Sequence, residues 1–177
     1  MKAIAVYCGA NGGASPVYAE AARAMGRALV ASNIALVYGG GHVGLMGTIA
    51  DAVLAVGGRV TGVIPQQLVD RELAHPGLTE LFVVRDMHER KAMMASLADG
   101  FIAMPGGMGT LEELFEMLTW SQLGIHAKPV GVLNVDGFYD QLVAFLGHAG
   151  QEGFIQPRHQ GLMKVSSDPA TLISLLA

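Results

Sequence analysis

Short apolar runs alternate along this chain with longer stretches whose apolar residues recur at helical spacing. This alternation predicts βαβ units around a parallel sheet, because each crossover between parallel strands needs a helix. The short runs are apolar on both faces, which is typical of strands that helices cover from both sides. We therefore predict a doubly wound α/β fold with a mainly parallel sheet, in which residues 1–177 form a single domain.

Strands are predicted at residues 3–8, 34–38, 59–64, 80–84, 100–104 and 129–134, with a weaker pattern for a short strand at 162–165. Helices are predicted at 16–31, 44–56, 87–98, 110–124, 137–150 and 169–176. Pro16 after Ser15 marks the first turn of the first helix, and Thr110 is predicted as the N-cap of the fourth. Residues 65–78 are predicted as a long polar loop that lines a site.

The composition excludes several classes of protein. The 177 residues are 51% hydrophobic, enough for a core without disulfides or a structural metal, and the only cysteine is Cys8. The histidines are isolated from one another, so no metal site is expected. A net charge of -4 with 11 scattered Lys and Arg residues disfavours a nucleic-acid polymer as partner. No apolar run approaches the roughly 20 residues of a membrane span, and the N-terminal run is too short for a signal peptide. With Cys8 alone no intrachain disulfide can form, so a cytoplasmic location is expected.

Eleven of the 24 glycines gather after predicted strands. They form three clusters, at Gly9, Gly12 and Gly13, at Gly39, Gly40, Gly41, Gly44 and Gly47, and at Gly106, Gly107 and Gly109. The carboxyl ends of parallel strands share one sheet edge, where ligands bind, and glycine-rich turns before helices suit a phosphate. Glycines that only permit tight turns are the alternative for any single cluster.

The run from Gly39 to Gly44 matches the G-x-G-x-x-G pattern of dinucleotide-binding proteins. That function also needs an acidic residue after the next strand, but this strand, 59–64, ends at Pro65. No glycine cluster is followed by the Lys-Ser/Thr pair of a nucleoside triphosphatase. The interpretation that is left is a binding site for a mononucleotide or a sugar phosphate.

The most specific stretch runs from Met104 to Glu113. Its amides from Gly107 to Thr110 would surround a phosphate at the positive end of a helix. Glu113 either closes a capping box with Thr110 or faces the ligand. Arg90 and Lys91 begin another helix; they either lie near an anion or are solvated, with Arg90 bonded to Asp86.

Two motifs, Met87-His-Glu-Arg-Lys91 and Pro105-Gly-Gly-Met-Gly-Thr-Leu-Glu-Glu113, resemble the signatures of the LOG (lonely guy) family of cytokinin riboside 5'-monophosphate phosphoribohydrolases. The resemblance continues from the Tyr7-Cys8-Gly9 turn to Asn134-Val-Asp-Gly137. It implies a Rossmann-like fold, a homodimer or larger homo-oligomer, and hydrolysis of the N-glycosidic bond of adenine-type nucleoside 5'-monophosphates without a cofactor. Cytokinin riboside monophosphates and AMP, as for an AMP nucleosidase, are both candidate substrates.

The same resemblance implies that Arg90 and Glu113 are catalytic. Arg90 would either keep Glu113 ionised or position the substrate. Contacts with the nucleotide are implied for Glu72, Lys91, Gly107, Met108, Gly109, Thr110, Leu111, Glu112, Glu113 and Thr119. Gly40, Gly41 and Met87 are candidates for a phosphate or base pocket.

Two other functions compete with hydrolysis. A non-catalytic nucleotide or cofactor carrier would use the same cradle without cleaving its ligand. A pyridoxal phosphate-dependent lysine decarboxylase would need a Schiff-base lysine. Lys91 and Lys128 are better explained as phosphate or surface groups.

Overall fold

The computed structural model describes residues 1–71 and 73–177. The strands are β1 (Ala3–Tyr7), β2 (Ala35–Tyr38), β3 (Val60–Pro65), β4 (Glu80–Val84), β5 (Gly100–Ala103), β6 (Val130–Leu133) and β7 (Met163–Ser166). The helices are α1 (Pro16–Ala31), α2 (Gly44–Ala55), α3 (Gln66–Val69), α4 (Met87–Leu97), α5 (Met108–Gln122), α6 (Asp140–Gln151) and α7 (Pro169–Leu176). Short 3-10 turns occur at Val135–Gly137 and Pro157–His159.

The predicted α/β fold is confirmed. All six predicted strands and the short seventh strand form one sheet, in the order β4-β3-β2-β1-β5-β6-β7, and every pair is parallel. Two predicted boundaries are wrong. The predicted loop 65–78 begins with helix α3, and α6 begins at Asp140 because Asp136 and Gly137 have positive φ angles of 49° and 71°, which a helix cannot continue through.

The strand order creates a crevice beside β1. The chain builds β1 to β4 outward in one direction and then returns to place β5 on the other side of β1. The loops after β1 and β5 therefore lead to helices on opposite faces of the sheet. Ligands bind at such switch points. The two loops meet where the amide of Gly9 donates a hydrogen bond to the carbonyl of Pro105, 3.0 Å away.

Each face of the sheet carries its own apolar core. Met25, Leu29 and Ile49 of α1 and α2 belong to one core, together with residues of α7. Met94 and Leu114 of α4 and α5 belong to the other. Helix α6 contributes no buried residue. No helix among residues 1–71 and 73–177 is long and apolar enough to cross a membrane.

The ends of two helices test the predicted caps. The prediction for α1 is confirmed, since the Ser15 hydroxyl accepts a hydrogen bond from the amide of Val17 and Pro16 opens the helix. The prediction for α5 is wrong: its N-cap is Gly107, which offers no side chain. Thr110 is instead buried in the first turn against Gly106, where a Cβ atom would overlap the Thr110 hydroxyl. Because α5 already begins at Met108, Thr110 lies within the helix and not at its cap.

Candidate active site

A cleft of about 580 Å³ opens at the carboxyl ends of β1, β2, β3 and β5. Glycines of all three clusters line it, as predicted: Gly9, Gly13, Gly39, Gly41, Gly106, Gly107 and Gly109. The cleft therefore lies at the switch point beside β1, where parallel sheets bind ligands.

Helix α5 points its first turn into this cleft. Gly107, Gly109 and Thr110 line the cleft, and no side chain caps the helix. The first amides of a helix have no partner within the helix, and the helix dipole adds positive charge at this end. These features are the ones that suit a helix N-terminus to binding an anion such as a phosphate.

Arg90 of α4 and Glu113 of α5 form a buried ion pair at the floor of the cleft. Arg90 Nη1 lies 2.8 Å from Glu113 Oε1, and the two side chains are 10% and 9% exposed. Arg90 Nε also donates to the carbonyl of Val63, 3.1 Å away, at the end of β3. The guanidinium lies directly against Gly39, where a Cβ atom would overlap Nη2. Strand, glycine turn and carboxylate together fix one position for Arg90.

Burial determines the protonation of the groups around this pair. Burial raises the pKa of Glu113, and the positive charge of Arg90 opposes that rise without cancelling it. Burial, followed by the negative charge of Glu113, raises the pKa of Cys8 to about 12 and also raises the pKa of Tyr7. Cys8 therefore remains a neutral thiol at neutral pH and cannot act as a thiolate nucleophile.

The ion pair decides two alternatives that the sequence leaves open. Glu113 does not close a capping box, since Thr110 is not the cap and the Glu113 carboxylate bonds to Arg90. Arg90 is neither solvated nor bonded to the Asp86 side chain, which accepts from the amide of Glu89 instead.

Lys91 is buried as well, but it does not line the cleft. Its Nζ donates to Glu112 at 2.5 Å and to Glu116 at 3.1 Å, which ties α4 to α5. Burial acts to lower the pKa of Lys91, but the bonds to the two carboxylates outweigh it and the pKa is raised. Lys91 is thus a charged link beside the Arg90–Glu113 pair.

The other predicted site residues divide into two groups. Glu112, Gly41 and Met87 line the cleft. Gly40, Met108, Leu111 and Thr119 do not line it. The carbonyl of Gly40 accepts a hydrogen bond from the amide of His75, Met108 is exposed, Leu111 packs against the core, and Thr119 lines a second cavity of about 330 Å³ between α5 and α6. Glu72 lies outside the described residues.

Sequence reasoning anticipated only part of the apolar lining of the cleft. Leu68 and Leu73 belong to the segment 65–78 that is predicted to line a site, and both line the cleft. Met46 also lines it, and the rings of Tyr18 and Phe138 meet edge to face with centroids 5.8 Å apart. Met46, Tyr18 and Phe138 come from three separate segments, so no motif in the sequence marks them. The cleft thus combines an anion site, an ion pair and an apolar wall large enough for a planar base.

Comparison with known proteins gives the family. A family model described as possible lysine decarboxylase matches residues 46–176. A cytokinin riboside 5'-monophosphate phosphoribohydrolase from Rhodococcoides fascians is 52% identical over 168 residues, covering 94% of this chain and 85% of the relative. A protein of the same name from Arabidopsis thaliana is 51% identical over 176 residues, covering 99% and 81%. The chain belongs to this phosphoribohydrolase family, LOG, as its two motifs predict.

The fold is shared more widely than the family. The solved structure of a molybdenum cofactor binding protein from Rippkaea orientalis matches with a TM-score of 0.74 over 98% of this chain and 94% of its own, at 24% identity. At that identity the likeness shows the fold alone. The carrier hypothesis is therefore supported only by a shared fold, whereas membership of the phosphoribohydrolase family favours hydrolysis.

The words "lysine decarboxylase" in the family description do not fit the lysines of this LOG family member. Lys91 is held by Glu112 and Glu116, and Lys128 Nζ donates to the carbonyl of Ala95, 2.7 Å away. Among the described residues that line the cleft there is no lysine. A Schiff base with pyridoxal phosphate thus has no candidate amine at this site. Within the described part of the chain, no group of three His, Cys, Asp or Glu residues is arranged to hold a metal ion.

Proposed function

We propose that this chain hydrolyses the N-glycosidic bond of cytokinin riboside 5'-monophosphates, and of AMP, to the free base and ribose 5-phosphate. The strongest support is the buried Arg90–Glu113 pair, which shares its cleft with the uncapped first turn of α5. Relatives at about half identity carry the name of this activity.

The arrangement suggests how the nucleotide binds. The 5'-phosphate would accept hydrogen bonds from the amides of the first turn of α5, around Gly109 and Thr110. Glu113 lies one helical turn further along, about 5 Å along the axis. The ribose would lie between them with its C1' atom near the carboxylate. The base would lie against the apolar wall that includes Met46, Leu73 and Met87.

The chemistry follows from this placement. As the glycosidic bond breaks, its electron pair leaves with the base nitrogen and positive charge builds on the ribose. Glu113 would stabilise that charge and take a proton from the water that adds to C1'. The departing base nitrogen would gain a proton from solvent, and Glu113 would release its own to solvent afterwards, so that the water is divided between the two products. Arg90 would keep Glu113 ionised, since burial raises the pKa of this carboxyl and the charge of Arg90 opposes the rise.

Base release from matched nucleotides and nucleosides tests the function directly. We expect isopentenyladenosine 5'-monophosphate and AMP to yield free base, with kcat/KM at least about 10²-fold above the matching nucleosides, because phosphate binding is used to orient the ribose. Chromatography of the products measures this. Tight nucleotide binding without base release would instead identify a carrier.

The pH dependence should report Glu113. We expect kcat/KM to fall as the pH drops, with an apparent pKa above the ordinary 4.5 of glutamate, because the buried carboxyl takes up a proton more readily and its ionised form is required. In Arg90→Gln the residual activity should fall at still higher pH, because the charge that lowers this pKa is gone. An acid limb that does not move between wild type and Arg90→Gln would contradict the assigned role of Arg90.

We also propose that two copies associate through the face formed by α5, α6 and the segment after α6. This face exposes Leu123, Ile125, Phe145 and Phe154, with exposures of 62–87%. Exposed apolar groups of this size mark association sites, and a second copy of the chain would cover them. Thr119 lies on the same face and would be buried there.

The association has a matched test. Phe145→Asp should shift the protein from dimer to monomer in analytical ultracentrifugation. Leu175→Asp is the control, because Leu175 is an exposed leucine of α7, whose core lies on the opposite face of the sheet. A wild-type monomer, or equal behaviour of the two variants, would rule this face out.

The cytoplasm is the compartment that we propose. Cys8 is the only cysteine and is buried as a free thiol. Chains without disulfides are typical of reducing compartments.

A further inference from the structure

A short segment, Leu73–His75, runs alongside the glycine turn that follows β2. The amide of His42 donates to the carbonyl of Leu73 at 3.0 Å, and the amide of His75 donates to the carbonyl of Gly40 at 2.9 Å. Gly41 and Ala74 form an antiparallel bridge between the two. Leu73 lines the cleft on this side, and we call Leu73–His75 the wall segment.

The buried ring of His75 anchors the wall segment to α2. The amide of Gly77 donates to its Nδ1 at 3.1 Å, so that nitrogen is an acceptor and the ring proton sits on Nε2. Nε2 then donates to Asp51 Oδ1 at 3.0 Å. Asp51 belongs to α2, whose residue Met46 lines the same cleft.

His75 ties the wall segment to α2 through Asp51. In addition, the amide of Leu73 donates to the carbonyl of Leu68 in the four-residue helix α3, 3.2 Å away. The position of Leu73 in the wall of the cleft therefore depends on where the wall segment is held.

We propose that His75 and Asp51 are a positioning pair, which holds the wall segment in place for the base of the nucleotide. The inference rests on the proposed function. Neither residue lines the cleft. Since the wall contacts the base and not the reacting atoms, the pair should strengthen binding of substrate and transition state alike, which affects KM and leaves kcat.

Substitutions of Asp51 test the pair with little risk to folding, because the Asp51 side chain is 73% exposed. Asp51→Ala should raise KM for isopentenyladenosine monophosphate about three- to ten-fold, as expected for one lost hydrogen bond, with kcat within about two-fold. Asp51→Asn keeps the acceptor and should restore KM to within about two-fold. The control Asp70→Ala removes an equal charge from the exposed partner of Gln66 and should leave both constants within about two-fold.

Hydrogen exchange separates this inference from the proposed function. Without nucleotide, the amides of His42 and His75 should exchange faster in Asp51→Ala than in wild type, and at the wild-type rate in Asp51→Asn. That result would support the pair even if no monophosphate released its base. Unchanged exchange, an unchanged KM in Asp51→Ala, or an Asp51→Asn variant as impaired as Asp51→Ala would overturn it.

Discussion

Glu113→Gln is expected to lower kcat about 10²- to 10⁴-fold, the usual contribution of a general base. Glutamine keeps the shape of the side chain and an oxygen that can accept from Arg90 Nη1, now 2.8 Å away. It cannot take a proton from water or offset the charge that builds on the ribose. KM should change far less than kcat, because the phosphate and base contacts remain. Steady-state assays of base release measure both constants.

Glu116→Gln is the matched control for this substitution. Glu116 lies on the same helix and bonds to Lys91 at 3.1 Å, but it does not line the cleft. Its replacement should leave kcat within about three-fold. Full turnover by Glu113→Gln, with its thermal unfolding unchanged, would show that another group activates the water.

The sheet could be predicted from the sequence because each of its strands is a local signal. Runs such as Ala3–Tyr7 and Gly100–Ala103 are too short and too apolar for anything but buried strands between helices. Once the strands are parallel, the glycine loops that follow them must share one edge, so the cleft follows from topology. The family could be predicted because two motifs that resemble its signatures lie at that edge.

The contacts within the cleft could not be predicted, because they join segments far apart in the sequence. Arg90 meets Glu113 across 23 positions and Val63 across 27. The misplaced cap shows the same limit. Thr110 is a residue type that favours an N-cap, yet the helix starts at Met108 and Thr110 packs against Gly106 of the preceding turn. The burial of Lys91 beside two carboxylates could not be predicted either, because a lysine at the start of a helix does not indicate which residues it contacts.

A buried pair of this kind is costly to desolvate and is therefore weak support for stability alone. The contribution of the pair here is to fix the positions of its two side chains. Four groups set the position of the Arg90 guanidinium: Glu113, Val63, the Gly39 turn and the helix α4 that carries it. Glu113 is thereby kept at a fixed distance from the proposed phosphate site on its own helix. Displacement of the guanidinium should thus disturb catalysis more than folding.

Gly39→Ala tests this with a single methyl group. A Cβ atom at residue 39 would overlap Arg90 Nη2. Because the guanidinium is the far end of a long side chain, we expect the guanidinium to move while the backbone of residue 39 stays in place. We expect kcat/KM to fall about 10²-fold, the cost of a displacement of about 1 Å at an active site. Gly161→Ala is the control, because a Cβ atom there has no neighbour within 4 Å.

A double-mutant cycle shows whether Gly39 acts through Arg90. If it does, Gly39→Ala should have little further effect on kcat/KM in an Arg90→Gln background, since the group that the methyl displaces is already gone. Independent effects would multiply, and a full 10²-fold loss in that background would mean that the methyl group blocks the nucleotide instead. In the coupled case the acid limb of Gly39→Ala should also move to higher pH, as in Arg90→Gln, because a displaced guanidinium no longer lowers the pKa of Glu113.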